Sequence, residues 1–193
     1  MALAASKVPG PIGHDRRVDP LSRLALAARD GDRAALAAFV ERSQADVWRF
    51  CAHQLGRAHA DDATQETYLR AIGALRSFRG EASARTWLLS IARRVCADVI
   101  RRTVRRRNLF QRVSAQRHDP AMPARAEADL DDLLAGLHPD RRQAFVLTQV
   151  LGLSYEEAAE VCACPVGTIR SRVARARGDL VGWLEADDTA AER

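Results

Sequence analysis

The side chains best suited to chemistry form a basic segment near the carboxyl end of the chain. Pro165 suits the first turn of a helix, and the residues after it are small or carry hydrogen-bond donors: Val166, Gly167, Thr168, Arg170, Ser171, Arg172 and Arg175. Guanidinium groups donate to phosphate oxygens and to the major-groove edge of guanine. The segment therefore favours recognition of DNA, and the alternative is a scaffold helix whose arginines extend into solvent.

A helix-turn-helix would position this segment. Ser154 and Glu157 have the spacing of a capping box, which predicts the start of a short helix. A tight turn is expected around Ala163, and the second helix would run from Val166 to about Leu184. In this motif the first residues of the second helix contact base edges in the major groove. A further helix over 139–150 completes a group of three.

The preceding half of the chain predicts a separate bundle of helices over 20–29, 32–55, 62–75 and 84–107. Asp32, Asp61 and Ser83 are the expected caps. Leu69, Ile72 and Leu75 recur at helical spacing and predict the apolar face of the third helix. The fourth helix has an apolar stripe made of Trp87, Leu88, Ile91, Val95 and Val99. Its arginines lie largely off that stripe and would form a cationic surface: Arg93, Arg94, Arg101, Arg102, Arg105, Arg106 and Arg107.

Composition and charge agree with a helical, polyanion-binding protein. Apolar residues make up 47% of the chain and are dominated by Ala and Leu, which are good helix formers, so an all-α fold is expected. Residues 22–117 carry a net charge of +10, whereas 118–135 carry −4 and 181–193 carry −3. A basic domain followed by an acidic connector suggests a polyanion partner. A solvated arginine-rich surface is the alternative.

The pattern divides the chain into two small helical domains joined by a flexible linker. We expect a disordered leader over 1–19, a first domain over 20–107, an acidic linker over 108–135, a second domain over 136–184 and an acidic tail over 185–193. Pro120 and Pro123 interrupt the linker, whose last residues predict a helix that leads into the second domain.

Catalytic residues, metals and cofactors are not expected. The sequence has no P-loop, G-x-G-x-x-G or H-E-x-x-H motif, and its five histidines lack metal-ligand spacing. Three of the four cysteines lie in apolar helical patterns, where a buried reduced thiol is the ordinary interpretation. Because neither a signal peptide nor a run of about 18 apolar residues is evident, the expected location is the cytoplasm.

Four segments resemble a known family. CPVGTIRSRVARAR, at 164–177, closely resembles the −35-reading helix of region 4 in extracytoplasmic-function sigma factors of the sigma-70 family, and GLSYEEAAEV, at 152–161, resembles the helix before it. ADDATQETYLRAI, at 60–72, resembles region 2.2, and SARTWLLSIARR, at 83–94, resembles regions 2.3 and 2.4. Within the family the motifs are most similar to the actinobacterial sigma C group. The resemblance implies an alternative sigma factor that binds core RNA polymerase, recognises −35 and −10 promoter elements and melts DNA locally.

The resemblance also implies a role for each matching residue. The residues implied to contact the polymerase clamp are Asp61, Asp62, Gln65, Glu66, Leu69 and Arg70. Those implied to contact the −10 element are Phe78, Arg79, Arg85, Trp87, Arg93, Arg94, Arg101, Arg102 and Arg105. Those implied to contact the −35 element are Pro165, Val166, Gly167, Thr168, Arg170, Ser171, Arg172 and Arg175. The loop over 78–84 would capture a base flipped from the non-template strand, which costs a few kcal/mol.

Some residues keep a second interpretation. Acids in a first helical turn, such as Asp61, are common for capping alone. Trp87 either stacks on a melted base or packs in the core, and its place on the apolar stripe favours the core. Arg94 departs from the family, which often has asparagine there, but arginine still contacts phosphate. Asp98 is expected to pair with an arginine one turn later. The acidic linker either follows basic polymerase surfaces or is a solubilising connector.

The implied partners are core RNA polymerase, through its β and β′ subunits, and promoter DNA, with an anti-sigma factor as a further candidate and one copy of the chain per holoenzyme. An ordinary transcription factor would explain the helix-turn-helix but not the first domain, and it would usually need a dimer. An enzyme is a second alternative, but the sequence contains none of the catalytic motifs named above. A protein that holds polymerase without initiating would share the same motifs, and only transcription from a promoter separates the two.

Overall fold

The computed structural model describes residues 19–113 and 130–191, and within those ranges the chain is helical without any strand. The described residues form eight α-helices in this order: α1 Pro20–Arg29, α2 Arg33–Leu55, α3 Ala60–Ala74, α4 Ala84–Val113, α5 Leu130–Gly136, α6 Pro139–Phe145, α7 Tyr155–Cys162 and α8 Val166–Ala191. The all-α fold is therefore confirmed. The expected leader, apart from residue 19, and linker residues 114–129 lie outside the described residues. None of the described helices is long and apolar enough to cross a membrane.

Carboxylate caps begin the first two helices. Asp19 Oδ1 accepts from the Ser22 amide ahead of α1, and Asp32 Oδ1 accepts from the Ala35 amide ahead of α2, both at 3.0 Å. Each bond satisfies an amide that a helix start leaves unpaired, which typically stabilises by about 1 kcal/mol. Gly56 ends α2 at a φ of +83°, where a residue without Cβ is favoured. The predicted bounds of α1 and the predicted end of α2 are confirmed.

Large side chains of α2 and α4 form the core of the first bundle. Phe39, Val47 and Phe50 of α2, and Leu88 and Leu89 of α4, are almost completely buried. The α2 positions are eight and three residues apart, and Ala92 and Val95 continue the buried side of α4 at spacings of three or four, so each helix turns one apolar face inward. The apolar stripe predicted for α4 is confirmed, with Leu88, Ile91 and Val95 buried.

The buried polar groups of this core contact one another across helices. The Sγ atoms of Cys51 in α2 and Cys96 in α4 lie 3.8 Å apart, and both are free thiols. Tyr68 Oη of α3 lies 2.7 Å from Ser43 Oγ of α2. Burial raises the pKa of Tyr68, so the phenol keeps its proton and the hydrogen bond at neutral pH.

Helix α3 turns mostly small residues inward, together with Tyr68, and turns two large apolar ones outward, so its predicted apolar face is partly wrong. Ala63 and Ala71 are buried, whereas Leu69 is 68% exposed and Ile72 is 46% exposed. Leu75, just after the helix, is buried as predicted. Small inward residues let α3 approach α2 and α4 closely at interior packing density. The two large apolar side chains are therefore not required by the core.

The second bundle is formed by α6, α7 and α8. Ser154 Oγ accepts from the Glu157 amide at 3.1 Å, and Glu157 Oε2 accepts from the Ser154 amide at 2.8 Å, which confirms the predicted capping box. Ala163 ends α7 in the left-handed conformation, with a φ of 52°, and α8 begins two residues beyond Cys164. Helix α6 continues as one π-helical turn, Val146–Val150, so the predicted helix over 139–150 is present with a change of winding.

The two bundles pack directly against each other in what we call the closed arrangement. Helix α7 packs on α4 and α6 packs on α2, so the buried side chains of both bundles form one continuous cluster. Arg85 Nη2 of α4 donates to the Leu151 carbonyl at 2.6 Å, and Arg142 Nη1 of α6 donates to the Gln54 carbonyl at 3.3 Å. Two domains tethered only by a linker were expected, so this contact is a finding of the structure.

Helix α5 is tied to the first bundle through Asp131. Its Oδ2 accepts from Arg57 Nε at 2.9 Å, and its Oδ1 lies 2.8 Å from His53 Nδ1. The hydrogen bond from Arg57 lowers the pKa of the Asp131 carboxyl, so it stays ionised at neutral pH. This acidic residue of the predicted linker therefore contacts the chain's own first domain, while Asp129 lies outside the described residues.

Candidate functional site

The second helix of the helix-turn-helix presents a polar face to solvent. Ile169, Val173 and Ala176 are buried and fix the rotation of α8 against α6 and α7. Arg170 and Arg175 are exposed and have no ion-pair partner within the described part of the chain. Their donors are therefore available to an external acceptor.

The start of α8 is open to close approach. Nothing lies within 4 Å of a Cβ added at Gly167, and Pro165 is exposed while Val166 and Thr168 are half-buried. Ser171 is exposed, but its hydroxyl donates to the Thr168 carbonyl at 3.0 Å. Backbone and short side chains at a helix start suit a phosphate, because the dipole there is positive.

Arg172 differs from the other arginines of this set because it is turned back into the protein. Its Nη2 donates to Asp140 Oδ2 at 2.7 Å, and its Nη1 lies 3.8 Å from Cys164 Sγ. The bond connects α8 to the start of α6, and the Arg172 side chain is only 24% exposed. The structure thus gives Arg172 a bracing contact in the helix-turn-helix.

A second exposed surface runs along α3 on the side away from the core. We call it the α3 stripe: Asp62, Gln65, Leu69 and Ile72, which recur three or four residues apart and are all exposed. Exposed apolar side chains that are rimmed by polar residues are typical of interaction surfaces. Ile72 was not among the predicted contact residues, because the sequence pattern placed it in the core.

A groove borders the α3 stripe on the side of α2. Trp48 Nε1 donates to Asp61 Oδ1 at 2.7 Å, and both line an open cavity of about 760 Å³ together with Gln44, Arg49 and Gln65. Asp61 makes no capping bond, and α3 begins one residue earlier at Ala60, so the predicted Asp61 cap is wrong. Sequence reasoning missed Trp48, because a tryptophan within an apolar helical pattern is ordinarily taken as a core residue; the structure shows it half-buried at the groove.

Two other predicted clamp residues are held by an ion-pair network between α3 and α4. Arg70 Nε donates to Glu66 Oε1 at 2.7 Å, and its Nη1 donates to Asp98 Oδ2 at 2.8 Å. Asp98 also accepts from Arg101, which confirms the expected pairing with an arginine one turn later. The hydrogen bond from Arg70 lowers the pKa of Asp98 and keeps it ionised. Arg70 therefore orients Glu66 beside the α3 stripe.

The segment over 78–83, which we call the α3–α4 loop, encloses a small cavity. Phe78 is 3% exposed, and its ring packs at a centroid distance of 5.1 Å against Trp87, with the planes tilted by 48°. The cavity measures about 230 Å³ and is lined by Ser77, Phe78, Arg79, Gly80, Glu81, Ala82 and Trp87. Trp87 packs on Phe78, as the core interpretation predicted, and it also lines the cavity, so stacking on a base stays a prediction.

The cationic residues of α4 fall into two groups. Arg94, Arg101, Arg102 and Arg105 are exposed along the helix. Arg85 and Arg93 instead lie on the side that α7 covers: Arg85 is bonded to Asp46 and to the Leu151 carbonyl, and Arg93 Nε is buried with no partner among the described residues. The predicted −10 residues are therefore not all accessible in the closed arrangement.

The fold and these surfaces define a two-domain helical protein with a helix-turn-helix, a basic helix and a separate exposed apolar stripe. Family models match both domains: "Sigma-70 region 2" matches residues 39–106, and "Sigma-70, region 4" matches residues 127–180. The two matched ranges include α3, residues 84–106 of α4, α7 and the exposed residues at the start of α8.

Individual relatives agree with the family match. The chain is 51% identical over 175 residues to the ECF RNA polymerase sigma factor SigC of Mycobacterium tuberculosis, covering 88% of this chain and 94% of the relative. It is 31% identical to the ECF RNA polymerase sigma-E factor of Haemophilus influenzae, covering 82% and 93%. The chain therefore belongs to the extracytoplasmic-function sigma factors of the sigma-70 family.

Solved structures give the same result. CnrH in complex with the cytosolic domain of CnrY superimposes with a TM-score of 0.67 at 27% identity, covering 86% of this chain and 97% of that one. The sigma factor RpoE of Bartonella quintana in complex with the anti-sigma factor NepR gives 0.62 at 27% identity, covering 79% and 98%. The predicted resemblance, including that to the sigma C group, is confirmed, and so is the function of an alternative sigma factor that directs promoter recognition and transcription initiation.

Proposed function

We propose that the α3 stripe is the surface through which this sigma factor docks on the clamp of core RNA polymerase. The observation that carries the proposal is the exposure of Leu69 and Ile72, two large apolar side chains that the core does not use. Asp62 and Gln65 flank them as a polar rim, and the ion pair to Arg70 holds Glu66 beside them. An apolar centre with a polar rim is the usual anatomy of a protein interface.

The start of α8 is proposed to read the −35 element. Arg170 and Arg175 supply unpaired guanidinium donors, and Pro165, Val166, Gly167, Thr168 and Ser171 supply short side chains that allow close approach. Arg172 enters this proposal as the brace to Asp140 that holds the helix in position. The expected contacts are guanine edges for one or two arginines and phosphates for the rest.

The α3–α4 loop and the basic face of α4 are proposed to bind the melted −10 element. The cavity of about 230 Å³ is smaller than the roughly 300–1,000 Å³ of ligand pockets, which suits one nucleobase. Phe78 and Trp87 offer aromatic surface to a base, and Arg79 is an exposed cation at the rim. Arg94, Arg101, Arg102 and Arg105 would follow the single-strand backbone.

The closed arrangement must open for the full −10 surface to be used. Arg85 and Arg93 face the second domain, so DNA reaches them only after α7 leaves α4. We propose that binding to core polymerase separates the two domains and fixes them at the spacing of the promoter elements. The proposed domain limits are 20–107 and 136–184, with 108–135 as the connector.

The partners are proposed from the family: core polymerase, promoter DNA and an anti-sigma protein. One similar solved structure is the sigma factor RpoE in complex with the anti-sigma factor NepR, which supports the third partner class. The chain is proposed to act by binding alone, in the cytoplasm, as one copy per holoenzyme and without a cofactor.

A footprint of the holoenzyme tests this proposal. Hydroxyl-radical cleavage on a promoter that depends on this protein should show protection at both elements, and thymines of the −10 element should become reactive to permanganate. Protection by the isolated protein alone should be weaker, since the closed arrangement covers part of the −10 surface. A holoenzyme that forms but protects no sequence upstream of the start site would contradict the proposal.

Replacing Arg142 with alanine should shift the protein toward the open state. Arg142 donates to three carbonyls, those of Gln54, Leu137 and Ala135, and so connects α6 to α2, to the end of α5 and to the residue after it. Hydrogen bonds from a charged donor contribute about 1.5–3 kcal/mol each at most. Small-angle scattering should give a larger radius of gyration for R142A than for wild type.

The matched control is Arg141→Ala, which removes a neighbouring arginine bonded to Asp179 within the second domain. R141A should leave the radius of gyration unchanged. Equal radii for all three proteins would show that Arg142 does not maintain the closed arrangement.

A further inference from the structure

Helix α1 contacts the α3–α4 loop at its beginning, middle and end. The loop is the segment proposed to capture a flipped base, and α1 lies before residue 39, where the region 2 family match begins. We propose that α1 positions this loop for base capture, with Arg29, Leu26 and Ser22 as positioning residues. The inference rests on the proposed role of the loop in −10 recognition and extends it to a helix outside the loop.

The first contact holds the beginning of the loop. Arg29 Nη1 donates to the Phe78 carbonyl at 3.2 Å. The guanidinium is itself held by Asp30, which accepts from Nε at 2.8 Å and from Nη2 at 3.2 Å. A planar guanidinium group that a carboxylate holds on one side directs its remaining N–H donor in a fixed direction. Phe78 forms the inner wall of the cavity, so this bond fixes the wall.

The second contact supports the middle of the loop. Gly80 has a φ of +73°, and a Cβ built there lies 3.7 Å and 3.8 Å from the two methyl groups of Leu26. A side chain at position 80 would therefore meet Leu26 at ordinary contact distance, which places the Leu26 methyl groups on the side of the loop toward which a Cβ at Gly80 would point. The positive φ favours glycine, which lets the chain turn back toward α4 across this apolar support.

The third contact holds the end of the loop. Ser22 Oγ accepts from the Ala84 amide at 2.7 Å, in a position where Ser22 is 3% exposed. Ser22 also donates to Asp19, the residue that caps α1. The first amide of α4 is thus satisfied by α1, while Ser83 Oγ accepts from the Thr86 amide at 3.1 Å.

Because these contacts already order the loop, base capture causes a smaller loss of conformational entropy. Ordering a residue of a mobile loop costs roughly 1–2 kcal/mol in backbone entropy. A loop held in its binding conformation before DNA arrives avoids most of that cost, which is the general advantage of preorganisation. Loosening the loop should therefore weaken only the binding that depends on the captured base.

The test compares Arg29→Met with wild type in holoenzyme bound to single-stranded −10 oligonucleotides. The probes carry the non-template sequence of a promoter that this protein uses, with an abasic site placed at each position in turn. The matched control is Arg23→Met, which makes the same charge change on the exposed side of α1. Arg29→Lys serves as a second variant, because it keeps the charge and should restore part of the affinity.

R29M should bind the intact oligonucleotide about five- to tenfold more weakly than wild type, the effect of losing one hydrogen bond of average net strength. On the oligonucleotide that lacks the captured base, R29M and wild type should bind equally. R23M should match wild type on every probe. Binding to core polymerase and to duplex −35 DNA should be unchanged for all variants.

The outcomes separate the inference from the function on which it rests. If no abasic position weakens wild-type binding beyond its neighbours, base capture by the loop is itself wrong. If wild type shows such a position but R29M equals wild type on the intact probe, α1 does not position the loop. If R29M loses the same factor on intact and abasic probes, Arg29 has a merely structural role, and the inference fails.

Discussion

Replacing Leu69 with aspartate is expected to reduce the affinity for core polymerase by at least about 30-fold, the effect of losing an interface residue worth 2 kcal/mol or more. Leu69 is 68% exposed, so the folded protein loses little packing when it is replaced. At the centre of the α3 stripe, however, a carboxylate would have to be buried against the clamp without a partner. The measurement is titration of fluorescent core polymerase with the variant.

Val181→Asp is the control for this prediction. Val181 lies in α8 and is 52% exposed, so it carries the same change of chemistry at similar exposure in the other domain. V181D should bind core as wild type does, and Ile72→Asp should weaken binding as Leu69→Asp does. If L69D and V181D have equal affinities, the α3 stripe is not the docking surface.

The second large effect is expected at the start of α8. Replacing Arg170 or Arg175 with alanine should weaken binding of the holoenzyme to −35 duplex by roughly 5- to 150-fold for an arginine that contacts a guanine edge, since such a contact gives about 1–3 kcal/mol of discrimination. Loss of a base contact should relax the preference at one base pair. Loss of a phosphate contact should instead weaken binding to all sequences alike, and it should reduce the slope of log affinity against log salt concentration by about one.

Arg33→Ala is the control for the arginine variants, because Arg33 is exposed at the start of α2, far along the chain from the helix-turn-helix. It should leave −35 affinity unchanged. Arg172→Ala should differ from both, since it removes the bond to Asp140 and should lower thermal stability as well as affinity. Unchanged −35 affinity in the double variant of Arg170 and Arg175 would place the −35 contacts elsewhere.

The starts and ends of several helices could be predicted from the sequence because each depends on a single local interaction. The capping box of Ser154 and Glu157, the Asp32 cap and the end of α2 at Gly56 depend on short-range hydrogen bonds and backbone conformation. Such features are determined within four residues of sequence. The start of α8 after Pro165 was predictable for the same reason.

The α3 stripe was harder to predict because its residues fit two patterns. Leu69 and Ile72 have helical spacing, and periodicity assigns them to the core. The structure instead packs Ala63 and Ala71 inward. Which side of a helix faces inward depends on how closely its neighbours approach, and a single helix does not contain that information. The family resemblance identified Leu69 as a contact residue, but Ile72 was found only from the structure.

The closed arrangement could not have been predicted from the sequence. Its contacts join residues far apart in the chain, such as Arg85 with Leu151 and Arg142 with Gln54, and their acceptors are backbone carbonyls. A carbonyl is present at every residue, so no pattern of residue types marks it as a partner. The same holds for the bond from Arg29 to the Phe78 carbonyl, on which the role of α1 depends.

Run-off transcription with core polymerase from the native organism tests the central claim most directly. The reaction is run on a genomic promoter library, with and without this protein. We expect start sites that appear only when the protein is present and that share −35 and −10 sequences upstream. A protein that binds core polymerase yet adds no start site would contradict the account and would favour a protein that holds polymerase without initiating.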